Sequence, residues 1–182
     1  MIEVTIGKRK YLHPSKIEEV TLDQWINITS KEDDIEAFSA FSGIPLKVLR
    51  SAPKVEVQSH MFQLSLLFED VKDKLDDHFP ESFKVGRSTY YPNQDLDNAD
   101  YGQYLDCTHY MKAYEGRLTE FYPYMMAIYC LRKGEKYEDI DLENRAKEMR
   151  KAMALDAVCI NNFFLFTSKD YAKDCQHYFQ EK

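Results

Sequence analysis

The chain has 182 residues, 44% of them hydrophobic and 30% charged, enough apolar material for a sizeable core and enough charge for solubility. Its formal charge is −7, with 31 acidic against 24 basic residues, which argues against binding nucleic acid through phosphate neutralisation. No apolar stretch reaches the length of a membrane span, and MIEVTIGKRK alternates where a signal peptide would have a charged start and an apolar run. Neither a nucleic-acid nor a membrane partner is therefore expected. The chain holds thirteen tyrosines and eleven phenylalanines but one tryptophan. Tyrosine joins apolar area to a polar tip, a combination common at protein interfaces.

In chain order, Ile2, Val4 and Ile6 alternate up to Gly7, which predicts a strand turning into a hairpin. A loop with Pro14 follows. Thr21 and Gln24 of TLDQ have capping-box spacing, so a helix starts there, with Leu22, Trp25, Ile26 and Thr29 on one face. Trp25 is expected to anchor the core. Ser30 is read as the cap of a second helix, with Asp33 in its first turn and Gly43 as its stop. A short helix lies between Pro45 and Pro53. A long one then runs to Pro80, carrying the apolar stripe Val57, Met61, Leu64, Phe68, Val71 and Leu75. Phe62, Leu66 and Leu67 widen that stripe, so this helix is expected in the core.

The opening phrase is then written again, ungapped, at a constant offset of 79 residues. Gly7, Tyr11, Gln24 and Thr29 recur as Gly86, Tyr90, Gln103 and Thr108, and Trp25 and Ile26 match Tyr104 and Leu105. Phe83 and Val85 predict a second strand entering a hairpin. Asp100 and Gln103 repeat the capping box, and Tyr104 becomes the expected core anchor of the second half. A helix around Pro123 ends near Gly134. One long helix follows over 137–166, with Met149, Met153, Ile160 and Phe164 near one face, and then a short helix over 168–182. The predicted fold is mainly α with small β-hairpins, an α+β class. It has two similar halves, residues 1–80 and 81–182, sharing one helical core, with their long helices packed about a pseudo-twofold axis.

Reactive groups are sparse. Cys107 with His109 and Cys175 with His177 combine zinc-preferred ligands, but an i, i+2 spacing on a helix points them apart. Cys107, Cys130, Cys159 and Cys175 form no CxxC pair and read as free, buried thiols. The carboxylates in EDVKDKLDD alternate with lysines, as on a solvated helix face. DLDNADYG faintly follows a calcium loop, yet Asp106 stands where the bidentate Glu belongs, and capping by Asp100 accounts for it. No phosphate-binding glycine loop, nucleophile elbow or zinc-protease motif is present. No catalytic residue, metal ligand or cofactor is assigned.

EVTLDQWINI, then IEAFSAFSGIPLKVLRSAP, and in the second half YGQYLDCTHY and GEKYEDIDLENRAKEM, resemble small structural modules of tailed bacteriophages. That resemblance spans most of the chain. It implies a non-enzymatic virion structural or assembly role: a tail-assembly chaperone, or a ring, neck or tail subunit near the portal. The partners it implies are other phage structural proteins or the chain itself as a homo-oligomer, located in the virion or the host cytoplasm. An intracellular enzyme or a cytosolic adaptor with an unrecognised site is the alternative. The expected contact residues are the aromatics that the repeat leaves unexplained: Tyr110, Tyr114, Tyr122 and Tyr124, and Tyr171, Tyr178 and Phe179 near the C-terminus.

Overall fold

The alternation at each predicted hairpin becomes a two-stranded ribbon. The computed structural model describes residues 1–75 and 79–165. Strand β1 (Ile2–Ile6) pairs antiparallel with β2 (Arg9–His13), and β3 (Phe83–Val85) pairs with β4 (Ser88–Pro92). Gly7 and Gly86 take φ of +60° and +59°, the left-handed conformation that two-residue hairpin loops require. Val4, Ile6, Phe83 and Val85 point inward.

After each hairpin the elements keep the offset of 79. A 3-10 turn at Ile17–Glu19 leads into α1 (Leu22–Thr29), and a 3-10 turn at Leu96–Asn98 leads into α5 (Tyr101–Ala113). In both helix starts the repeated Gln reaches back to its cap. Gln24 Oε1 accepts from the Thr21 N–H, and Gln103 Oε1 from the Asp100 N–H, each at 3.0 Å. The other end of each amide reaches the following helix. Gln24 Nε2 donates to the Phe41 carbonyl in α2 (Asp34–Ser42) at 3.5 Å, and Gln103 Nε2 to Ile128 in α6 (Leu118–Tyr129) at 2.6 Å. One residue thus ties two helices together in each half. The repeated Thr is also used locally, since Thr29 and Thr108 donate to the carbonyls of Trp25 and Tyr104 four residues back.

The structure adds a third occurrence of the unit. A 3-10 turn at Tyr137–Asp139, one intervening residue, the cap Asp141 and then α7 (Leu142–Met149) repeat the spacing of Ile17–Glu19, Thr21 and α1. Asp141 accepts from the Asn144 N–H at 3.1 Å, so Asn stands where the other two units have Gln. In place of a hairpin this unit has the two-residue β5 (Cys130–Leu131), which adds to β4. Helix α8 occupies residues 154–165.

Four expectations require correction. The second long helix is two helices, α7 and α8, because residues 150–154 turn aside to pair with the start of α1. Leu22 and Asp23 donate their N–H groups to the Ala152 and Arg150 carbonyls at 2.8 Å, and Ala154 donates to Val20 at 2.7 Å. The cap of α2 is Asp33, which accepts from the Ile35 and Glu36 N–H groups, while Ser30 closes α1. Tyr104 is 46% exposed and anchors no core, whereas Trp25 is buried. The long helices do not form a matched pair. Helix α4 (Lys54–Leu75) packs on α2 and on the first 3-10 turn, and a short α3 (Leu46–Ser51) precedes it. Val57 of its stripe is buried and Met61 half-buried. The side chains of Leu64, Leu67, Phe68, Val71 and Leu75 lie outside the described residues.

One core serves both halves, running from Ile17, Leu22 and Phe38 to Phe121, Met125, Met149 and Phe164. The second hairpin is clamped to α7 by Tyr90, whose ring stacks on Phe83 with 5.6 Å between centroids. The guanidinium carbons of Arg132 and Arg145 each lie 5.1 Å from the Tyr90 ring centre, and Arg132 also donates to the phenol oxygen. Glu135 and Glu148 complete these pairs. In the first hairpin the matching Tyr11 hydroxyl is buried and has no hydrogen-bond partner among the described residues.

This packing leads to two measurable outcomes. Gln103→Ala removes a buried donor bonded to Ile128 and should cost about 1–3 kcal/mol by urea denaturation, with the longer-bonded Gln24→Ala costing less. His13 is buried against Phe38 and Phe41, and this burial lowers its pKa, outweighing the hydrogen bond to the Pro14 carbonyl. A depressed histidine pKa gives stability that is present above 6.5 and lost as pH falls below it. His13→Leu should flatten the fall in urea midpoint between neutral and mildly acidic buffer.

Candidate functional site

Helix α5 is five residues longer than α1, and this extra length builds an aromatic cluster with α6. Tyr110 lies in the added stretch and Tyr114 caps its end four residues on, and both face Tyr124 of α6. Tyr110 and Tyr124 stack with centroids 4.2 Å apart, and Tyr114 lies 5.3 Å from Tyr124. Glu143, near the start of α7, accepts from both phenols, at 3.1 Å from Tyr110 and 2.9 Å from Tyr124. Arg117 caps the stack over Tyr114 at 5.2 Å. Beside it Tyr137 packs on Gly102 and donates to Asp106 at 2.5 Å. Three helices and the third 3-10 turn are therefore joined by four phenols and two carboxylates.

The electrostatics hold the phenols of Tyr110, Tyr124 and Tyr137 protonated. Burial raises the pKa of Tyr110, and the Glu143 carboxylate adds to it. Burial likewise raises Tyr124, followed by the bonds to Tyr114 and Glu143, and raises Tyr137, followed by Asp106. Each is a donor to a carboxylate at neutral pH, and none is poised for proton transfer near pH 7. Cys107 lies on the buried side of α5, where burial pushes its thiol up to about 11, so it is protonated as well.

Of the residues expected at a contact surface, Tyr110, Tyr114 and Tyr124 gather here, each half-buried. Tyr122 does not join them. It is 6% exposed, sits on the opposite side of α6, and its hydroxyl approaches Asn162 of α8 at 3.5 Å, so it is a core residue with almost no surface to offer. Tyr171, Tyr178 and Phe179 lie outside the described residues, as do Cys175, His177 and the helix expected over 168–182. His109 is exposed and Cys107 buried, on different sides of α5. No cluster of three or more potential metal ligands exists among the described residues. No helix there is long and apolar enough to cross a membrane.

Sequence reasoning missed a second feature on the same helix. Leu22, Trp25 and Ile26 of α1 are buried, yet their counterparts Tyr101, Tyr104 and Leu105 on α5 are 72%, 46% and 50% exposed. The difference is tertiary. In the first unit, residues 150–154 and α6 cover this face: Thr29 bonds Thr119 of α6 at 3.1 Å, and Asp23 pairs with Arg150 at 2.7 Å. Just before α5, Asp97 of the 3-10 turn and Asp100 of the cap border its exposed strip. That acidic margin beside Tyr101 was the one signal in the sequence that could have marked an outward face. No family model, curated protein or solved structure matches the chain.

The tyrosine cluster carries a pH prediction. Phenols raised above 10 stabilise the fold fully below pH 10 and lose that contribution as pH rises through their higher range. Tyr124→Phe should cost about 0.5–1.5 kcal/mol at pH 8 by urea denaturation, the net worth of a hydrogen bond. It should also make stability less steeply dependent on pH above 10.

Proposed function

We propose that this chain is a non-enzymatic structural or assembly protein of a tailed bacteriophage, working through contacts with other virion proteins and with itself. The observation that carries the reading is the outward face of α5. Tyr101, Tyr104 and Leu105 present aromatic and aliphatic surface at positions which the first unit buries under another part of the same chain. Apolar surface rimmed by charge marks protein contact sites in soluble proteins. The half-buried tyrosines around Glu143 hold the other side of α5 rigid, so the face is presented without reordering. The phage-like phrases TLDQW and GIPLKVL in the first half and YGQYLD in the second give the biological setting. A complex of this kind requires roughly 1,200–2,000 Å² of buried surface.

Site-specific crosslinking tests this. A photoreactive phenylalanine analogue at Tyr101 in the full chain, expressed during phage production, should crosslink to a virion or assembly protein. The same analogue at the buried Tyr122 should not. Absence of crosslinks at Tyr101, together with turnover of a small substrate by the purified chain, would overturn the reading.

A further inference from the structure

The start of α1 shows what this architecture sets against such a helix. Thr21 and Met153 form an antiparallel β-bridge. Around it Leu22 donates its N–H to the Ala152 carbonyl at 2.8 Å, and Ala154 returns an N–H to the Val20 carbonyl at 2.7 Å. Asp23 donates to the Arg150 carbonyl at 2.8 Å, and its carboxylate pairs with the Arg150 guanidinium. Ala152 and Ala154 are fully buried, and their small side chains let the two backbones approach this closely.

The same backbone is laid out at the start of α5. Ala99 (φ −69°, ψ 150°) and Asp100 (φ −63°, ψ 141°) take the extended conformation of their counterparts Val20 (φ −90°, ψ 131°) and Thr21 (φ −84°, ψ 158°). Among the described residues, nothing hydrogen-bonds the Tyr101 or Gly102 N–H or the Ala99 carbonyl. Exposed Tyr101 and Leu105 lie beside these groups. The arrangement does not suit an anion. From Ser88 to Met111 the sequence contains no Lys or Arg, and Asp97 and Asp100 stand exposed at the helix start. An N–H donor and a carbonyl acceptor flanking one extended residue are instead the complement of another backbone. Residues 150–154 of a second copy are already engaged by its own α1, so the source is a different polypeptide.

We propose that the start of α5 docks an extended segment of another polypeptide, added as an antiparallel bridge along Ala99–Tyr101. The segment has small residues at its two bonded positions and a basic residue beside them. The first small residue's carbonyl accepts from the Tyr101 N–H, and the second one's N–H donates to the Ala99 carbonyl. The basic side chain meets Asp97 and Asp100, the carboxylates available where Gly102 replaces Asp23. Main-chain bonds of this kind supply affinity, and the flanking side chains supply selection. This rests on the assembly reading and names the chemistry of the segment that the partner contributes.

The experiment is an NMR titration of the isotopically labelled full chain with the end-blocked hexapeptide Arg-Lys-Ala-Met-Ala-Leu, the sequence of residues 150–155. The Tyr101 and Gly102 amide signals should shift saturably while those of Leu22 and Asp23 stay in place. Methylating the amide nitrogen of the second alanine removes the donor to Ala99 and should weaken binding about tenfold. A peptide with glutamate in place of its arginine should bind at least about threefold more weakly, and Asp97→Lys in the chain should recover it. Tyr101→Asp, at an exposed position, should abolish saturation while the remaining spectrum stays native. The proposal is overturned if Tyr101 and Gly102 do not respond up to the solubility limit of the peptide, if the methylated peptide binds as well as its parent, or if Leu22 and Asp23 are the signals that move. Failure of the peptide alongside a crosslink from position 101 to a virion protein would remove this docking mode and leave the assembly reading standing. Peptide binding without any such crosslink would support the docking site and remove the phage setting.

Discussion

The fold depends on a short backbone pairing that joins its first and last units. Residues 20–23 lie against residues 150–154 through three hydrogen bonds of 2.7–2.8 Å, with Asp23 and Arg150 closing the edge. Two of the donors, Leu22 and Asp23, belong to the first turn of α1, whose N–H groups have no partner within their own helix. Supplying carbonyls for them from Arg150 and Ala152 has a cost, since those carbonyls leave the helical pattern. The break between α7 and α8 is that cost. In return, the chain ends of a repeated architecture share one core, and Leu22, Trp25 and Ile26 gain a cover.

Repetition explains why this cover matters. Three units share a 3-10 turn, a polar cap and a helix, and the first two also share a glycine-turned hairpin. Units of one design present equivalent faces, and among the described residues two of the three are buried within the chain. The first unit has its helix covered from within. The third turns its helix inward, where Arg145 takes the place of Trp25 and pairs with Glu135 beside Tyr90. The second leaves its face outward and reinforces the opposite side with a tyrosine layer hydrogen-bonded to Glu143 and Asp106. Exposure of Tyr101 and Leu105 follows from the same repetition of units that buries Leu22 and Ile26.

Much of this was legible in the residues. Alternation ending at Gly7 and Gly86 fixes the hairpins, because only glycine accepts the turn without strain. The Thr21–Gln24 and Asp100–Gln103 spacings place two helix starts to the residue. The gathering of Tyr110, Tyr114 and Tyr124 follows from an aromatic insertion at helical spacing. What stayed hidden is tertiary. Periodicity around Tyr104 matches that around Trp25 and carries no information on which one receives a neighbour. The third unit escapes notice because Asn144 and Arg145 replace the Gln and the aromatic, and its glycine turn at Gly134 stands seven residues before the cap where Gly7 and Gly86 stand fourteen before theirs. The break after Met149 has no local signal such as a glycine or proline, since its cause sits more than a hundred residues away in Leu22 and Asp23. Tyr122 was misplaced because the hydroxyl gives tyrosine an equal claim on core and interface.

The start of α1 is sealed within the chain, while the start of α5 carries the exposed Tyr101 and Gly102. Amide hydrogen exchange resolved to single residues, on the free chain and on its assembled form, tests this contrast most directly. Leu22, Asp23 and Ala154 should exchange only with global unfolding in both states. Tyr101 and Gly102 should exchange rapidly in the free chain and slow at least about tenfold on assembly. Rapid exchange at Leu22 and Asp23, or unchanged exchange at Tyr101 and Gly102 after assembly, would contradict it.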